Sequence, residues 1–292
     1  MDWATSSADW PFSEHSVFLD VPPHRWHVQR FGTGPSLVLL HGAGGATQSF
    51  RNLAPLLAKH FEIVMMDFPG QGFTKLGTRQ RSGLQDTTRD IGAVLEALEV
   101  EPDLIVAHSA GAAVALALAQ TRADAAVVGI NPALGPFEGV AGWLFPFVAK
   151  LLALNPFVPG IFARLSRSAG RVEGLLASTG SRLDPVGTAL YRRLIEDRDH
   201  VDGTLLMMAS WSVTALLDQL PQIGVPVLFL LGANDGAVPN KVGLDAAQKL
   251  PKADVEIFPG QGHLVHETAP EPVAQAILAF AKQNGFLQSS SA

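Results

Sequence analysis

Ser109, Asp235 and His263 are side chains whose types and chain order could build an activated nucleophile. A serine hydroxyl is a weak nucleophile until a base takes its proton, and the base in turn needs an acid that fixes its tautomer. Ser109 sits in Ala107-His108-Ser109-Ala110-Gly111, after the apolar run Leu104-Ile105-Val106 and before the small-residue stretch Ala110–Ala117. A serine on a sharp strand-to-helix turn is lifted above the sheet, and the next backbone N–H is left free. Such a turn tolerates only small residues two places either side, and Ala107 and Gly111 are both small. Asp235 ends Leu231-Gly232-Ala233-Asn234-Asp235, and His263 lies in Gly260-Gln261-Gly262-His263-Leu264, each just beyond a strand-like run.

Each residue also has a plainer reading. The Ser109 stretch could be a small-residue helix packed tightly on a sheet. Asp235 could cap the helix expected after Pro239, a common task for a loop aspartate. His266 is a rival base, but it falls inside the turn after His263 and, with Glu267, reads as structural. His108 is expected to face the core or brace a loop, and His41 to order the loop it begins. The oxyanion of an acyl-transfer intermediate needs backbone donors waiting where charge develops. The first expected donor is the N–H of Ala110. The second comes from the loop His41-Gly42-Ala43-Gly44-Gly45, with Ala43 the first choice and Gly44 the alternate.

The elements that must hold these residues follow from the hydrophobic pattern. Short apolar runs at 36–40, 62–67, 104–106, 125–130, 225–231 and 255–258 read as strands, most of them parallel and covered on both faces. Two further strands are expected at 17–20 and 26–31. Helical patterns at 50–59, 88–98, 110–117, 241–250 and 271–284 alternate with the strands, which implies βαβ units. From Pro132 to about Leu220 strand signals stop and helical apolar patterns dominate. Together with the order Ser, Asp, His, this resembles the α/β-hydrolase fold: a mostly parallel central sheet flanked by helices, with an inserted helical cap. The expected division is 1–131 and 221–292 for the catalytic domain and 132–220 for the cap. A serine at the elbow points away from the epoxide hydrolases and haloalkane dehalogenases of this fold, which use aspartate there.

Composition narrows the function further. The net charge of −6 gives no reason to expect nucleic acid as a partner. Cysteine is absent, which excludes disulfides and thiolate chemistry and fits a reducing cytoplasm. The polar start of the chain has no signal-peptide core, so the expectation is a soluble cytoplasmic protein. No His/Asp/Glu cluster has metal spacing, and neither a metal nor a cofactor is expected. In the cap, Trp143, Phe147, Met207, Met208 and Trp211 could wall a pocket for an apolar small molecule, or could simply pack the core. The stretch Trp143–Phe162 is too broken by Pro146, Pro156 and Pro159 to span a bilayer. Beside the basic Lys150, Arg164, Arg167 and Arg171 it could rest on a membrane surface.

A narrower resemblance runs nearly end to end. It includes Asp2-Trp3, Trp26-His27-Val28-Gln29, His108-Ser109-Ala110-Gly111-Ala112-Ala113, and Leu151-Leu152-Ala153-Leu154-Asn155-Pro156. It continues through Thr179-Gly180-Ser181-Arg182-Leu183-Asp184, Met207-Met208-Ala209, and Asn234-Asp235-Gly236-Ala237-Val238-Pro239. These stretches are similar to the α/β-hydrolase encoded with bacteriochlorophyll biosynthesis and described as a magnesium-chelatase accessory protein, the BchO family. The resemblance implies a role near magnesium insertion into protoporphyrin, with a tetrapyrrole as substrate and chelatase subunits as partners. It supplies no reaction, and the chain has no phosphate-binding Gly-Lys loop of its own. Two functions stay open at this point: a serine hydrolase acting on an apolar ester, or a porphyrin carrier that keeps the hydrolase fold.

Overall fold

The apolar runs pair into one eight-stranded sheet in the computed structural model, which describes residues 1–122, 124–135 and 170–287. The strands are β1 (Ser16–Val21), β2 (His24–Gly32), β3 (Ser36–Leu40), β4 (Glu62–Met66), β5 (Leu104–His108), β6 (Ala126–Ile130), β7 (Val227–Gly232) and β8 (Ala253–Phe258). Their order is β1-β2-β4-β3-β5-β6-β7-β8. The pairs β1–β2 and β2–β4 are antiparallel and all others are parallel. The central strands β5, β6 and β7 are buried along their whole length, which is why they read as continuous apolar runs.

Alternate side chains of each strand serve opposite faces. Ile105 and Ala107 join one core with Val38, Leu40, Val114 and Phe229, while Leu104 and Val106 join the other with Leu37, Phe50, Leu57 and Ile277. The helix Ala110–Ala119 lies in the first core and is buried on nearly all sides, so its small residues let it approach the sheet closely. The order β4-β3-β5 reverses the direction in which the sheet grows, and a crevice opens at such a point beyond the carboxyl ends of the strands. Leu40 pairs with Ala107 there, so the loop after β3 and the turn after β5 are neighbours.

Two helices differ from the sequence expectation. The stretch 50–59 is a 3₁₀ turn, Thr47–Phe50, followed by the short helix Ala54–Leu57, because Pro55 fits only a first helical turn. The helix expected from Thr88 begins at Leu84, with the Thr87 amide donating to the Gly83 carbonyl at 2.9 Å.

Between β6 and β7 the described residues form helices Arg171–Ser178, Pro185–Glu196, Arg198–Ser210 and Thr214–Gln219. Asp184 caps the second of these through the Gly187 amide at 2.6 Å, and Asp197 caps the third through the His200 amide at 2.8 Å. A third apolar cluster joins Val172, Leu176, Leu190, Tyr191 and Leu194 to Trp10, Ala46, Phe73 and Leu264. Met207, Val213, Leu216 and Leu220 instead belong to the core that holds the Ala110–Ala119 helix. Among the described residues no helix is long and apolar enough to cross a membrane.

Candidate active site

Ser109 occupies φ 53°, ψ −117°, a strained conformation for a residue with a side chain. Its neighbours over-determine it. The Ser109 amide donates to the Ile130 carbonyl at 2.9 Å, and its own carbonyl accepts from the Ala112 and Ala133 amides, each at 3.1 Å. Glycine at 111 has a steric reason, because a Cβ there would lie 2.6 Å from the carbonyl oxygens of both Leu40 and His41. Ala110 opens the following helix, so its N–H has no intrahelical acceptor and points out at the positive end of the helix dipole.

The Nδ1 of His263 meets Asp235 Oδ2 at 2.7 Å. The carboxylate is fully buried and the imidazole one-tenth exposed, so the bond is desolvated and strong. Nδ1–H therefore donates to the carboxylate and Nε2 is left as the basic nitrogen. Asp235 does not cap the helix Asn240–Ala247, which carries no side-chain cap; its Oδ1 accepts instead from the Ala237 and Val238 amides at 2.7 and 2.8 Å in the turn before it. One oxygen orients the histidine and the other orders the turn.

The histidine loop is fastened from behind. His108 donates from Nε2 to the His263 carbonyl at 3.0 Å, and Asn131 donates from Nδ2 to the same carbonyl at 2.8 Å. Asn131 also donates to the Gly262 carbonyl at 3.1 Å and accepts the Gly232 amide at 2.7 Å, tying the end of β7 to the loop after β8. Burial holds the His108 ring well below the ordinary histidine range, with the His266 and His263 rings adding to the effect. His266 is fully buried in the turn Val265–Thr268, its ring centroid 4.4 Å from that of His108. Neither of its ring nitrogens has a hydrogen-bond partner among the described residues, and burial pulls its pKa down to about 3.

Opposite the elbow, the loop after β3 approaches so closely that a Cβ on Gly42 would lie 2.9 Å from the Ser109 Cβ. His41 orders this loop, donating from Nδ1 to the Gly42 carbonyl at 2.7 Å and accepting the Phe68 amide on Nε2 at 2.9 Å. The Gly44 amide is engaged by Gln71 Oε1 at 2.8 Å, whereas Ala43 is exposed. Gln71 also donates to the Met207 sulfur at 3.0 Å. His200 reaches in from the helix Arg198–Ser210, accepting the Gly72 amide on Nδ1 at 3.0 Å and donating from Nε2 to the Gly44 carbonyl at 3.2 Å. Of the expected pocket residues, Met207 is buried while Met208 and Trp211 are half-buried. Trp143 and Phe147 lie outside the described residues, as do Lys150, Arg164, Arg167 and the whole of Trp143–Phe162.

A second Ser-His-Asp chain exists elsewhere. Ser16 Oγ lies 2.9 Å from His27 Nε2, and His27 Nδ1 lies 2.8 Å from Asp67 Oδ2. Ser16 is inside the edge strand β1, on no strained turn and at no helix N-terminus, and its hydroxyl also accepts Gln29 Nε2 at 3.0 Å. The His27 ring is wholly buried among Trp3, Phe18 and Phe73. This chain ties the β1–β2 hairpin to the turn that follows β4. Residue identity and spacing at Asn131, Gln71, His200 and Ser16 gave no sign of these roles, although Asn131 and Gln71 lie just past the carboxyl ends of strands, where sites gather in parallel sheets. Among the described residues no group of three or more His, Asp or Glu could hold a metal ion.

Comparison with known proteins agrees with this architecture. Residues 35–270 match the family described as alpha/beta hydrolase fold. The magnesium-chelatase 30 kDa subunit of Rhodobacter capsulatus is 41% identical over 280 residues, covering 95% of this chain and 98% of that protein. A pimeloyl-[acyl-carrier protein] methyl ester esterase of Vibrio vulnificus is 29% identical, covering 87% of this chain and 97% of the esterase. Among solved structures, an alpha/beta hydrolase fold protein from Burkholderia ambifaria superimposes with a TM-score of 0.77 at 22% identity, covering 90% of this chain and 97% of its own. A thermophilic esterase from Thermogutta terrifontis does so with a TM-score of 0.73 at 20% identity, covering 92% and 98%. The chain belongs to the α/β-hydrolase fold family, in the BchO-like branch with the Rhodobacter capsulatus magnesium-chelatase 30 kDa subunit.

Proposed function

We propose that the protein is a serine hydrolase in which Ser109 is the nucleophile, His263 the base, Asp235 its orienting acid, and Ala110 and Ala43 the oxyanion donors. The observation that carries this reading is the buried 2.7 Å bond from His263 to Asp235, together with a serine held at φ 53° where the strand Leu104–His108 meets the next helix. Ser109 Oγ attacks the substrate carbonyl carbon as His263 Nε2 takes its proton. The carbonyl oxygen becomes an oxyanion, met by the Ala110 N–H and by the Ala43 N–H, since Gln71 occupies the Gly44 amide. Collapse of the intermediate expels the alcohol with the proton from His263 and leaves an acyl-serine. Water then attacks that ester with His263 as base, restoring Ser109.

The segment 132–220 serves as the cap of this site and the remaining residues as the catalytic domain. Met207, Met208 and Trp211 supply apolar wall. The substrate is an ester of a large apolar acid, and the likeness to a magnesium-chelatase subunit favours a tetrapyrrole acted on beside the chelatase. The test is hydrolysis of p-nitrophenyl esters and of tetrapyrrole methyl esters by the wild type and by Ser109→Ala. Loss of turnover by a factor on the order of 10⁴–10⁶ in the variant supports the reading. Unchanged hydrolysis contradicts it.

The same likeness favours a second reading, a porphyrin carrier or chelatase partner that retains the fold. It differs in one outcome: protoporphyrin or magnesium-protoporphyrin shifts its absorption spectrum on binding wild type and Ser109→Ala alike, with no ester cleaved by either.

A further inference from the structure

The stretch Thr179-Gly180-Ser181 lies in the insertion, between the helices Arg171–Ser178 and Pro185–Glu196, yet it is wedged between the two loops that carry His263 and Asp235. A single carbonyl, that of Thr179, accepts the His263 amide at 3.0 Å and the Gly236 amide at 3.1 Å. Two residues on, Ser181 Oγ accepts the Leu264 amide at 2.9 Å from a fully buried position. The amide of the base, the amide after the acid and the amide after the base are thus all held by two residues of the insertion, Thr179 and Ser181, on either side of Gly180.

The approach is close enough to require glycine on all three sides. Gly180 adopts φ +77°, and a Cβ on it would overlap the Asn234 carbonyl oxygen. A Cβ on Gly236 would overlap the Ser178 carbonyl oxygen, and one on Gly262 would lie 2.6 Å from Ser181 Oγ. Backbone packed on backbone leaves no flexible side chain to absorb a displacement. His108 and Asn131 hold the His263 loop from below, and this wedge holds it from above.

We infer that Thr179-Gly180-Ser181 is the positioning element that holds the His263–Asp235 pair in register, so that this part of the insertion is a fixed piece of the catalytic machinery. The inference rests on the reading of Ser109, His263 and Asp235 as a triad. The Nδ1–H···Oδ2 geometry depends on two loops from different strands keeping their separation, and the Thr179 carbonyl bridges them. Loosening the bridge lengthens that bond, destabilises the imidazolium and slows every proton transfer without touching the pocket for the acyl chain.

The test compares Ser181→Ala and Gly180→Ala with the wild-type full chain on p-nitrophenyl butyrate. Glu173→Gln is the control, since it breaks only an exposed ion pair with Arg192 within the same helices. Ser181→Ala is expected to lower kcat about tenfold through one lost buried hydrogen bond. Gly180→Ala is expected to lower it about 10²-fold by displacement, with KM held within about twofold in both. The acid limb of the kcat/KM profile moves to lower pH in both variants, and Glu173→Gln matches the wild type. The proton in the His263–Asp235 bond gives a low-field ¹H resonance, assigned by its loss in His263→Gln, that moves upfield in both variants. If Gly180→Ala does not fold, Ser181→Ala carries the test. A folded Ser181→Ala with wild-type kcat, acid limb and resonance overturns the inference. If the wild type cleaves no ester, the hydrolase reading fails by itself, and the low-field resonance alone decides the wedge.

Discussion

The Gly44 amide donates to Gln71 Oε1 at 2.8 Å, while the other end of the same side chain donates to the Met207 sulfur at 3.0 Å. Gln71 therefore occupies one amide of the β3 loop, so the proposed second oxyanion donor is the amide of its neighbour, exposed Ala43. Replacing Gln71 with Ala frees the loop to turn and misplaces the Ala43 donor. The expected result is a fall in kcat of about 10–10² with little change in KM, because the lost interaction develops only with the oxyanion. Steady-state kinetics on a p-nitrophenyl ester checks it.

Asn131 satisfies three buried backbone groups at once: the Gly262 and His263 carbonyls and the Gly232 amide. Asn131→Ala leaves the Gly262 carbonyl and the Gly232 amide without that partner, while the His263 carbonyl keeps His108, and each unsatisfied buried group costs about 1–3 kcal/mol. Urea unfolding should show a loss of about 2–4 kcal/mol, net of partial relaxation. Asn131→Asp turns a carboxylate oxygen toward two buried carbonyl oxygens and should be at least as destabilised as Asn131→Ala.

Two buried histidines each add to the pH dependence of stability. Burial holds the His200 pKa at about 4 and the His266 pKa at about 3, both below the unfolded value of 6.5. Around His200 the His41 ring and the Met1 ammonium push the same way, and Asp197 opposes them. Below pH 6.5 the unfolded chain takes up protons at these two positions that the native state refuses, so their contribution is full above that pH and is lost as pH falls toward 4. Each group contributes a slope of about 1.4 kcal/mol per pH unit in that window. His200→Gln keeps a donor and an acceptor without titrating and should remove about one proton's worth of slope. Urea unfolding at several pH values between 4 and 7 measures it.

Ser16, His27 and Asp67 copy the distances of a triad in a place with no strained turn and no helix N-terminus. Ser16→Ala should cost about 1 kcal/mol of stability and leave ester turnover at the wild-type rate. Thermal unfolding and the p-nitrophenyl assay read the two effects separately.

The fold was legible because its central strands are buried on both faces and so appear as unbroken apolar runs, and because Pro, Gly and small residues mark the turns between them. Ser109, Asp235 and His263 were legible as candidates for a related reason: each follows such a run, and parallel strands bring their carboxyl ends to one edge. The supports were not. Asn131, Gln71 and His200 act through bonds to backbone groups distant in sequence, and the Thr179 carbonyl acts without a side chain at all, so no residue type announces them. Pro55 shows a local failure, where an apolar helical period continued past a residue that can only open a helix. Tertiary hydrogen bonds, unlike hydrophobic period, leave no pattern in one sequence.

The central claim is that Ser109 is an activated nucleophile, and fluorophosphonate labelling of the folded full chain with mass spectrometry of the modified peptide tests it most directly. The account predicts a single phosphonyl adduct on Ser109, lost in His263→Ala, with Ser16 unmodified in the same sample. A folded wild type that takes no label, or one that labels equally well in His263→Ala, would contradict it.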